Sequence, residues 1–271
     1  MALPTAPAAI GRHHRLLTDF RRAFRDGPLE GGLLAIEGPR LFAEAIRSGL
    51  RLDKVLFSQT GLEQLGARLL PQLSKHAEAA VTEDAAFAGA MESDHPQGVA
   101  ALVRYSPAAL DDVFGPSGAP GAPLVLAAAG LQDPGNLGTL IRAADAFGAT
   151  GVVVLADSAS PFNAKAVRAS AGSLFHLPVA ARVPATAFVT ACRQRGLRLL
   201  AADARGQLDP AAAALAAPVA LLIGQEAGGI PRELLRAADA TVAIAFARPV
   251  DSLNAAVAGA ILLYEASKQR R

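Results

Sequence analysis

The sequence has few of the residues that cross-link small proteins or stack on nucleic-acid bases. It contains one cysteine, Cys192, which excludes an internal disulfide and a zinc site built from several thiolates. It has no tryptophan and two tyrosines, so aromatic stacking cannot be a general way of gripping bases. Charged residues make up 18% and hydrophobic residues 52% of the 271 residues, which excludes the composition of disordered chains. We therefore expect a folded protein with a large core.

Long hydrophobic runs are also missing. No segment approaches the roughly 20 consecutive apolar residues that a membrane-spanning helix needs. The first 25 residues lack the apolar segment of a secretory signal. These absences predict a soluble, cytoplasmic protein with no membrane segment.

Positive charge is concentrated near the N-terminus, although the whole chain carries a formal charge of only +2. The first 25 residues include five arginines and two histidines but a single acidic residue, Asp19. Such a segment suits contact with phosphates, and the solvated face of a helix would give the same pattern. The residues alone leave both interpretations open.

Residues 106–122 include a glycine- and proline-rich stretch, which predicts a linker between two domains. The first domain, residues 1–105, is a small α/β unit. The second domain, residues 123–271, contains short apolar runs separated by helical patterns, which predicts a buried parallel sheet covered by helices. The predicted strands of this sheet are 124–129, 151–156, 197–202, 218–224 and 241–246.

Polar segments, two of them glycine-rich, lie at the carboxyl ends of three of these runs, where ligands gather in parallel α/β sheets. The first segment, Asp133-Pro-Gly-Asn-Leu-Gly138, opens a helix that ends at Gly148. At about 100° per residue, Arg142 falls opposite the apolar side of this helix. We expect Arg142 to be exposed.

The strand, glycine turn and helix of this first segment imitate a dinucleotide-binding unit. The glycines fall at 130, 135 and 138, which does not give the G-x-G-x-x-G spacing, and Pro134 removes an amide that would bind pyrophosphate. This interpretation is therefore disfavoured.

The other two segments are Ile223-Gly-Gln-Glu-Ala-Gly228 and Ser252-Leu-Asn254, each placed after a predicted strand. Glycines in the former let the backbone approach a flat ligand, and Glu226 could accept a hydrogen bond or proton. Ser252 or Asn254 would begin the long apolar helix that follows, predicted over 252–267. Either segment alone is also typical of an ordinary turn or helix cap.

Together the three segments resemble the motifs of the SpoU (TrmH-type) family of RNA 2′-O-ribose methyltransferases, within the SPOUT superfamily. Their order and spacing agree with that family. Residues 164–172 and 177–178 resemble the segment between the first and second motifs. Residues 37–40 and 44–49 resemble the family's substrate-binding domain.

The resemblance implies a fold and a reaction. The fold is a C-terminal trefoil-knotted parallel-sheet SPOUT domain, preceded by a smaller N-terminal L30e-like α/β RNA-binding domain. The reaction transfers a methyl group from S-adenosyl-L-methionine (AdoMet) to a ribose 2′-OH of ribosomal or transfer RNA, with no metal. A homodimer formed through the knotted domain is also implied, and the apolar helix 252–267 supports it.

The resemblance also implies site residues. We expect Arg142 to stabilise the developing alkoxide and hold the phosphate, because guanidinium groups resist deprotonation. Glu226 or water would accept the proton, Asn136 and Asn254 would orient the ribose and Arg142, and Ser252 would support the loop. The expected AdoMet contacts are Ile223, Gly224, Glu226, Gly228, Ile244, Ser252, Leu253 and Asn254. The expected RNA contacts are Arg21, Arg22, Arg25, Arg40 and Arg168.

The third motif departs from the family pattern. Many members carry proline and glycine where this chain has Ala245 and Arg248, so the path of this loop is the least secure part of the comparison. A non-catalytic RNA-binding protein that keeps the fold is the alternative from another class. The presence of Arg142, Glu226 and Asn254 argues against it.

Overall fold

A computed structural model of the chain describes residues 6–116, 121–225, 228–245, 247–248 and 252–271. The chain divides into two compact units. The first unit contains Met1–Ser106 and Phe162–Phe175, and the second contains Pro107–Pro161 and His176–Arg271. The chain therefore enters the second unit after Ser106, returns to the first at Phe162, and leaves it again after Phe175.

The first unit is a mixed sheet with helices. Its strands run in the order β1-β4-β3-β5-β2, and β5 is antiparallel to both β2 and β3. The strands are β1 (Ala8–Ala9), β2 (Leu33–Glu37), β3 (Leu52–Ser58), β4 (Glu78–Thr82) and β5 (Val99–Arg104). The helices are α1 (Arg15–Asp26), α2 (Pro39–Arg47), α3 (Gln59–Leu69), α4 (Asp84–Ala88) and, from the returning segment, α6 (Ala164–Ser170).

The N-terminal basic segment is largely the amphipathic helix α1. The His14 imidazole caps this helix by accepting a hydrogen bond from the Leu16 amide at 3.2 Å, and Gly27 ends it with φ of 87°. Its apolar side, which includes Phe20 and Phe24, is buried, while its arginines are exposed. The sequence pattern predicts a helix over 12–26, and the structure confirms it with a later start, at Arg15.

The returning segment 162–175 packs within the first unit around Tyr105. The Tyr105 hydroxyl donates to the Leu174 carbonyl at 3.3 Å, and its ring lies 5.4 Å from that of Phe162 and 6.4 Å from that of Phe175. Burial raises the pKa of Tyr105 to about 12. This segment groups with residues 6–106, although the sequence pattern assigned all of 123–271 to one domain.

The second unit is the predicted parallel sheet, which is confirmed: every strand pair in it is parallel. The strand order is β11-β9-β10-β6-β7-β8. The strands are β6 (Leu124–Ala129), β7 (Gly151–Leu155), β8 (Val179–Val183), β9 (Arg198–Ala202), β10 (Val219–Gly224) and β11 (Ala240–Val242). The helices are α5 (Pro134–Ala146), α7 (Ala185–Gln194), α8 (Arg232–Ala237) and α9 (Ala255–Gln269).

The core of the second unit fills the space between the sheet and its helices. Cys192 on α7 is fully buried there beside Phe188 and Leu199. Burial raises the pKa of its thiol to about 12, so the thiol stays protonated at neutral pH. Cys192 is therefore a small packing residue of this core. Among the described residues, no helix is both long and apolar enough to cross a membrane.

Candidate functional site

The site begins where strands β6 and β10 end side by side. These neighbours are in register, with Gly224 paired to Ala129, so the loops that follow them leave the same edge of the sheet. Beyond β6 the sheet continues through β7 and β8, and beyond β10 it continues through β9 and β11. The order in which strands are added to the sheet therefore reverses between β6 and β10. Doubly wound folds bind ligands at such a reversal.

The loop after β6 is held by side-chain hydrogen bonds. Asp133 caps α5 by accepting from the Gly135 amide at 2.8 Å, and Pro134 occupies the first turn, where no donor is needed. The side-chain amide of Gln132 donates a hydrogen bond to the backbone carbonyl of Asp157 at 2.8 Å. This contact ties the loop to the segment after β7. The start of α5, including Asn136, is therefore fixed from both sides.

The loop after β10 is a tight turn. Gln225 and Gly229 exchange two backbone hydrogen bonds, at 3.2 and 2.9 Å. A Cβ added to Gly224 would overlap the backbone of Gly229, so this approach requires glycine. Glu226, the predicted proton acceptor and cofactor contact, lies outside the described residues.

The third segment meets the first through a pair of asparagines. Asn254 caps α9, since its Oδ1 accepts from the amides of Ala256 at 2.9 Å and Val257 at 3.3 Å. Its Nδ2 donates to Oδ1 of Asn136 at 3.0 Å. Two predicted site residues, 118 positions apart in the chain, are thus joined directly. Ser252 is exposed and Leu253 half-buried just before this cap.

Arg142 lies on the exposed side of α5, as predicted from the helical spacing. The opposite side of α5, which includes Leu140 and Ile141, is fully buried. Arg142 is six residues beyond Asn136, about 9 Å along the helix axis. Its cationic head can therefore reach a ligand without disturbing the core.

A cavity of about 520 Å³ opens at the carboxyl ends of the neighbouring strands β9 and β11. Its size is in the range of small-molecule sites, roughly 300–1,000 Å³. Ile244 lines it, as do Ala245 and Arg248, the two departures from the family pattern. The loop Ala204 to Asp209 also lines the cavity, and its Leu208 is hydrogen-bonded to Thr241 and Ala243 beside the first lining segment. Sequence reasoning missed this loop, although its position after the predicted strand 197–202 could have identified it.

The other predicted cofactor contacts lie at the edge of the sheet but outside the lining of this cavity. The Ile223 side chain is buried against α9, where a Cβ on Gly259 would come within 3.5 Å of it. The whole residue, main chain included, is 1% exposed. Gly224 is half-buried and Gly228 exposed. Their roles toward a cofactor stay predictions.

The predicted RNA contacts belong to the first unit and are exposed or half-exposed. Arg21 donates to the Gly89 carbonyl at 2.8 Å, and Arg25 forms a bidentate pair with Asp26 at 2.7 and 2.9 Å. Arg168 pairs with Glu92 at 2.5 Å. Exposed pairs of this kind cost little to exchange for a phosphate. In the described part of the chain, no group of three His, Cys, Asp or Glu side chains could hold a metal ion.

A parallel α/β sheet with polar loops and a cavity at one edge is the architecture of an enzyme that binds a small cofactor. The model of the SpoU rRNA Methylase family matches residues 123–264. The chain belongs to this family.

Two curated relatives act on ribosomal RNA. The 23S rRNA (uridine(2479)-2'-O)-methyltransferase of Streptomyces viridochromogenes is 42% identical over 51% of this chain and 50% of that protein. The 23S rRNA (guanosine(2553)-2'-O)-methyltransferase RlmP of Bacillus subtilis is 30% identical over 84% of this chain and 86% of that protein.

A solved structure matches nearly the whole chain. It is the SpoU methyltransferase AviRb from Streptomyces viridochromogenes in complex with the cofactor AdoMet, with a TM-score of 0.84 and 29% identity. The match covers 95% of this chain and 98% of that one.

Proposed function

We propose that this protein transfers a methyl group from AdoMet to a ribose 2′-OH of structured RNA, ribosomal or transfer. The observation that carries the proposal is the meeting of the three motif segments: β6 and β10 end in register, and Asn254 bonds Asn136. Family membership and the 23S rRNA 2′-O-methyltransferases among its relatives support the same reaction.

The cavity after β9 and β11 fits the cofactor. Its volume suits a nucleoside-sized ligand, and alanine and glycine make up half of its described lining, which leaves room for a flat ring such as adenine. Ile244 and its neighbours would hold the cofactor there, while the glycine turn Gly224–Gly229 would leave room for it. When bound, AdoMet supplies a methyl group on a positively charged sulfur.

The chemistry in this proposal is mainly positioning and charge stabilisation. Arg142 binds the phosphate beside the target ribose and stabilises negative charge as it develops on the 2′-oxygen. Asn136 and Asn254, already hydrogen-bonded to each other, orient the ribose and Arg142. Ser252 supports the loop before α9, and Glu226 or a water molecule accepts the proton.

Finer features of the family belong to the same proposal. The second unit would be the trefoil-knotted domain, and the first an L30e-like domain that binds RNA through Arg21, Arg22, Arg25, Arg40 and Arg168. No metal takes part in the reaction. The enzyme works in the cytoplasm, where the RNA is made.

We also propose a homodimer. Among the described residues, the exposed large hydrophobic side chains are Val257, Ile261 and Tyr264, at 48%, 38% and 49% exposure. Their spacing of four and three residues puts them on one side of α9. A continuous apolar stripe of this kind marks a contact surface.

The test is a map of 2′-O-methyl groups on total RNA from cells with and without the protein. We expect one or a few ribose positions to lose methylation without the protein and to regain it with the wild-type chain, but not with Arg142→Ala. Identical maps would refute the enzymatic proposal and favour a non-catalytic RNA-binding protein.

A further inference from the structure

Two charged residues line the cavity after β9 and β11, one from each of its two lining segments. Asp209 lies at the end of the loop that follows β9, and Arg248 lies in the loop that follows β11. The rest of the described lining consists of glycine, alanine, leucine, isoleucine and Gln207. The electrostatic character of the cavity therefore depends on these two residues.

Asp209 and Arg248 differ in the hydrogen bonds that their side chains make within the protein. One oxygen of Asp209 accepts a hydrogen bond from the Ala211 amide at 2.8 Å and so begins a short helical turn. Within the described residues, the guanidinium of Arg248 makes no hydrogen bond or ion pair, and the residue is exposed. Arg248 is thus a cation on the cavity wall that is available for an anionic group.

The proposed cofactor carries one anionic group. The sulfur and the amino group of AdoMet are positive, so an arginine would repel the ligand unless it faced the methionyl carboxylate. The planar guanidinium matches a carboxylate with two parallel hydrogen bonds. Asp209, in the other lining segment, provides the negative charge that suits the positive groups.

We propose that Arg248 binds the carboxylate of the methionyl part of AdoMet. This inference rests on the proposed function, because it assigns a specificity-determining residue within the same cofactor site. It also gives a role to a position at which this chain departs from the resembled family pattern.

The experiment measures ligand binding by isothermal titration calorimetry, without RNA and without turnover. The ligands are AdoMet and decarboxylated AdoMet, which differ only in the carboxylate. The proteins are the wild type, Arg248→Gln, Arg248→Lys and the control Arg205→Gln. Arg205 lies in the loop after β9 and is 95% exposed, but it does not line the cavity.

We expect Arg248→Gln to weaken AdoMet binding about tenfold, the effect of losing one charge-assisted hydrogen-bonded contact. The same change should alter the affinity for decarboxylated AdoMet by less than about twofold, since the interaction partner is already absent. Arg248→Lys should give an intermediate loss, because it keeps the charge and loses the fork. Arg205→Gln should bind both ligands as the wild type does.

Two results would overturn the inference while leaving the proposed function standing. The first is equal AdoMet affinity in the wild type and Arg248→Gln. The second is an equal loss for both ligands, which would indicate a displaced loop. A wild-type protein that binds no AdoMet would instead refute the proposed function, and this inference with it.

Discussion

At the scale of single residues, Arg142 and the two asparagines have separable tasks. Arg142 points away from the core, so its contribution can be removed without changing the packing of α5. Asn254 has a double task, because one side chain caps a helix and also holds Asn136. Substitutions at these positions therefore distinguish chemistry from stability.

We predict that Arg142→Ala lowers methyl transfer by roughly 10²–10³, the effect of losing one preorganised stabiliser of developing charge. The melting temperature and AdoMet affinity should stay unchanged, since the side chain is exposed. Single-turnover assays with labelled AdoMet measure the rate. Arg193→Ala, an exposed arginine at the end of α7, is the control.

Arg142→Lys extends this test. Partial rescue would support charge stabilisation, whereas a lysine variant as inactive as Ala would indicate that the guanidinium geometry or its proton chemistry is essential. Normal turnover by Arg142→Ala would remove the residue from the active site.

The asparagine pair should show coupling. Asn254→Ala loses a cap and a hydrogen bond, so we expect the free energy of unfolding to fall by about 1–2 kcal/mol. Asn136→Ala removes its hydrogen bond to Asn254 but no helix cap, and this bond should account for about 0.5–1 kcal/mol. Urea denaturation of both single variants and the double variant measures the interaction. Strictly additive losses would mean that the pair contributes nothing as a pair.

At the scale of elements, the turn after β10 is the most constrained part of the site. Gly224→Ala should force the Gly229 backbone away, lower the free energy of unfolding by about 1–3 kcal/mol and weaken AdoMet binding. Calorimetry and thermal denaturation measure the two effects. Gly11→Ala is the matched control, because its Cβ would meet no atom within 4 Å. Unchanged AdoMet binding by Gly224→Ala would show that this turn does not form part of the site.

Most strands were predictable because buried parallel strands are short apolar runs. Strand β8 was not, since Arg182 interrupts its run, adopts φ of 56° and lies beside a register shift opposite β7. The predicted strand 241–246 was too long: β11 ends at Val242, and Ile244 lines the cavity instead. The apolar run that predicted this strand therefore includes residues that line the cavity, such as Ile244.

The order of the three site segments was predictable, while their contacts were not. The bond between Asn136 and Asn254 depends on how α9 packs on α5, where Gly259 allows Leu140 to approach closely. No local pattern encodes a contact between positions so far apart in the chain. The loop after β9 was missed because it contains no motif of its own.

At the scale of the whole molecule, each of the two units is built from two separate stretches of the chain. Segment 162–175 comes from the middle of the sequence of the second unit but packs with the first, around Tyr105. The sequence of this segment is typical of an ordinary helix and loop. Only its long-range contacts show that it belongs to the first unit. The two units nevertheless have distinct roles in the proposal, RNA binding and methyl transfer, which can be tested separately.

Replacing Arg21, Arg22 and Arg25 together with Ala should weaken RNA binding and reduce its dependence on salt, by a slope of about 2–3 if each contacts one phosphate. AdoMet affinity should not change. Filter binding across a salt series measures the RNA affinity and its dependence on salt. A triple variant of exposed arginines in the second unit, Arg193, Arg205 and Arg236, controls for net charge. Equal losses in both triple variants would indicate non-specific attraction and favour a merely solvated helix face.

The apolar stripe on α9 predicts a species of twice 27.7 kDa in sedimentation at micromolar concentration. Ile261→Glu should produce a monomer, because burying an unpaired carboxylate in the contact is costly. Gln194→Glu, which adds the same charge on α7, should remain dimeric. A wild-type monomer with full activity would contradict the proposed homodimer.

Identifying the methylated atom tests whether this protein is a ribose 2′-O-methyltransferase. Purified protein is incubated with unmodified ribosomal and transfer RNA and AdoMet labelled in its methyl group, and the RNA is digested to nucleosides for mass spectrometry. We expect label on the ribose of a 2′-O-methylnucleoside, at an initial rate that falls by roughly 10²–10³ with Arg142→Ala. Label on a base, or equal labelling by wild type and Arg142→Ala, would contradict this expectation.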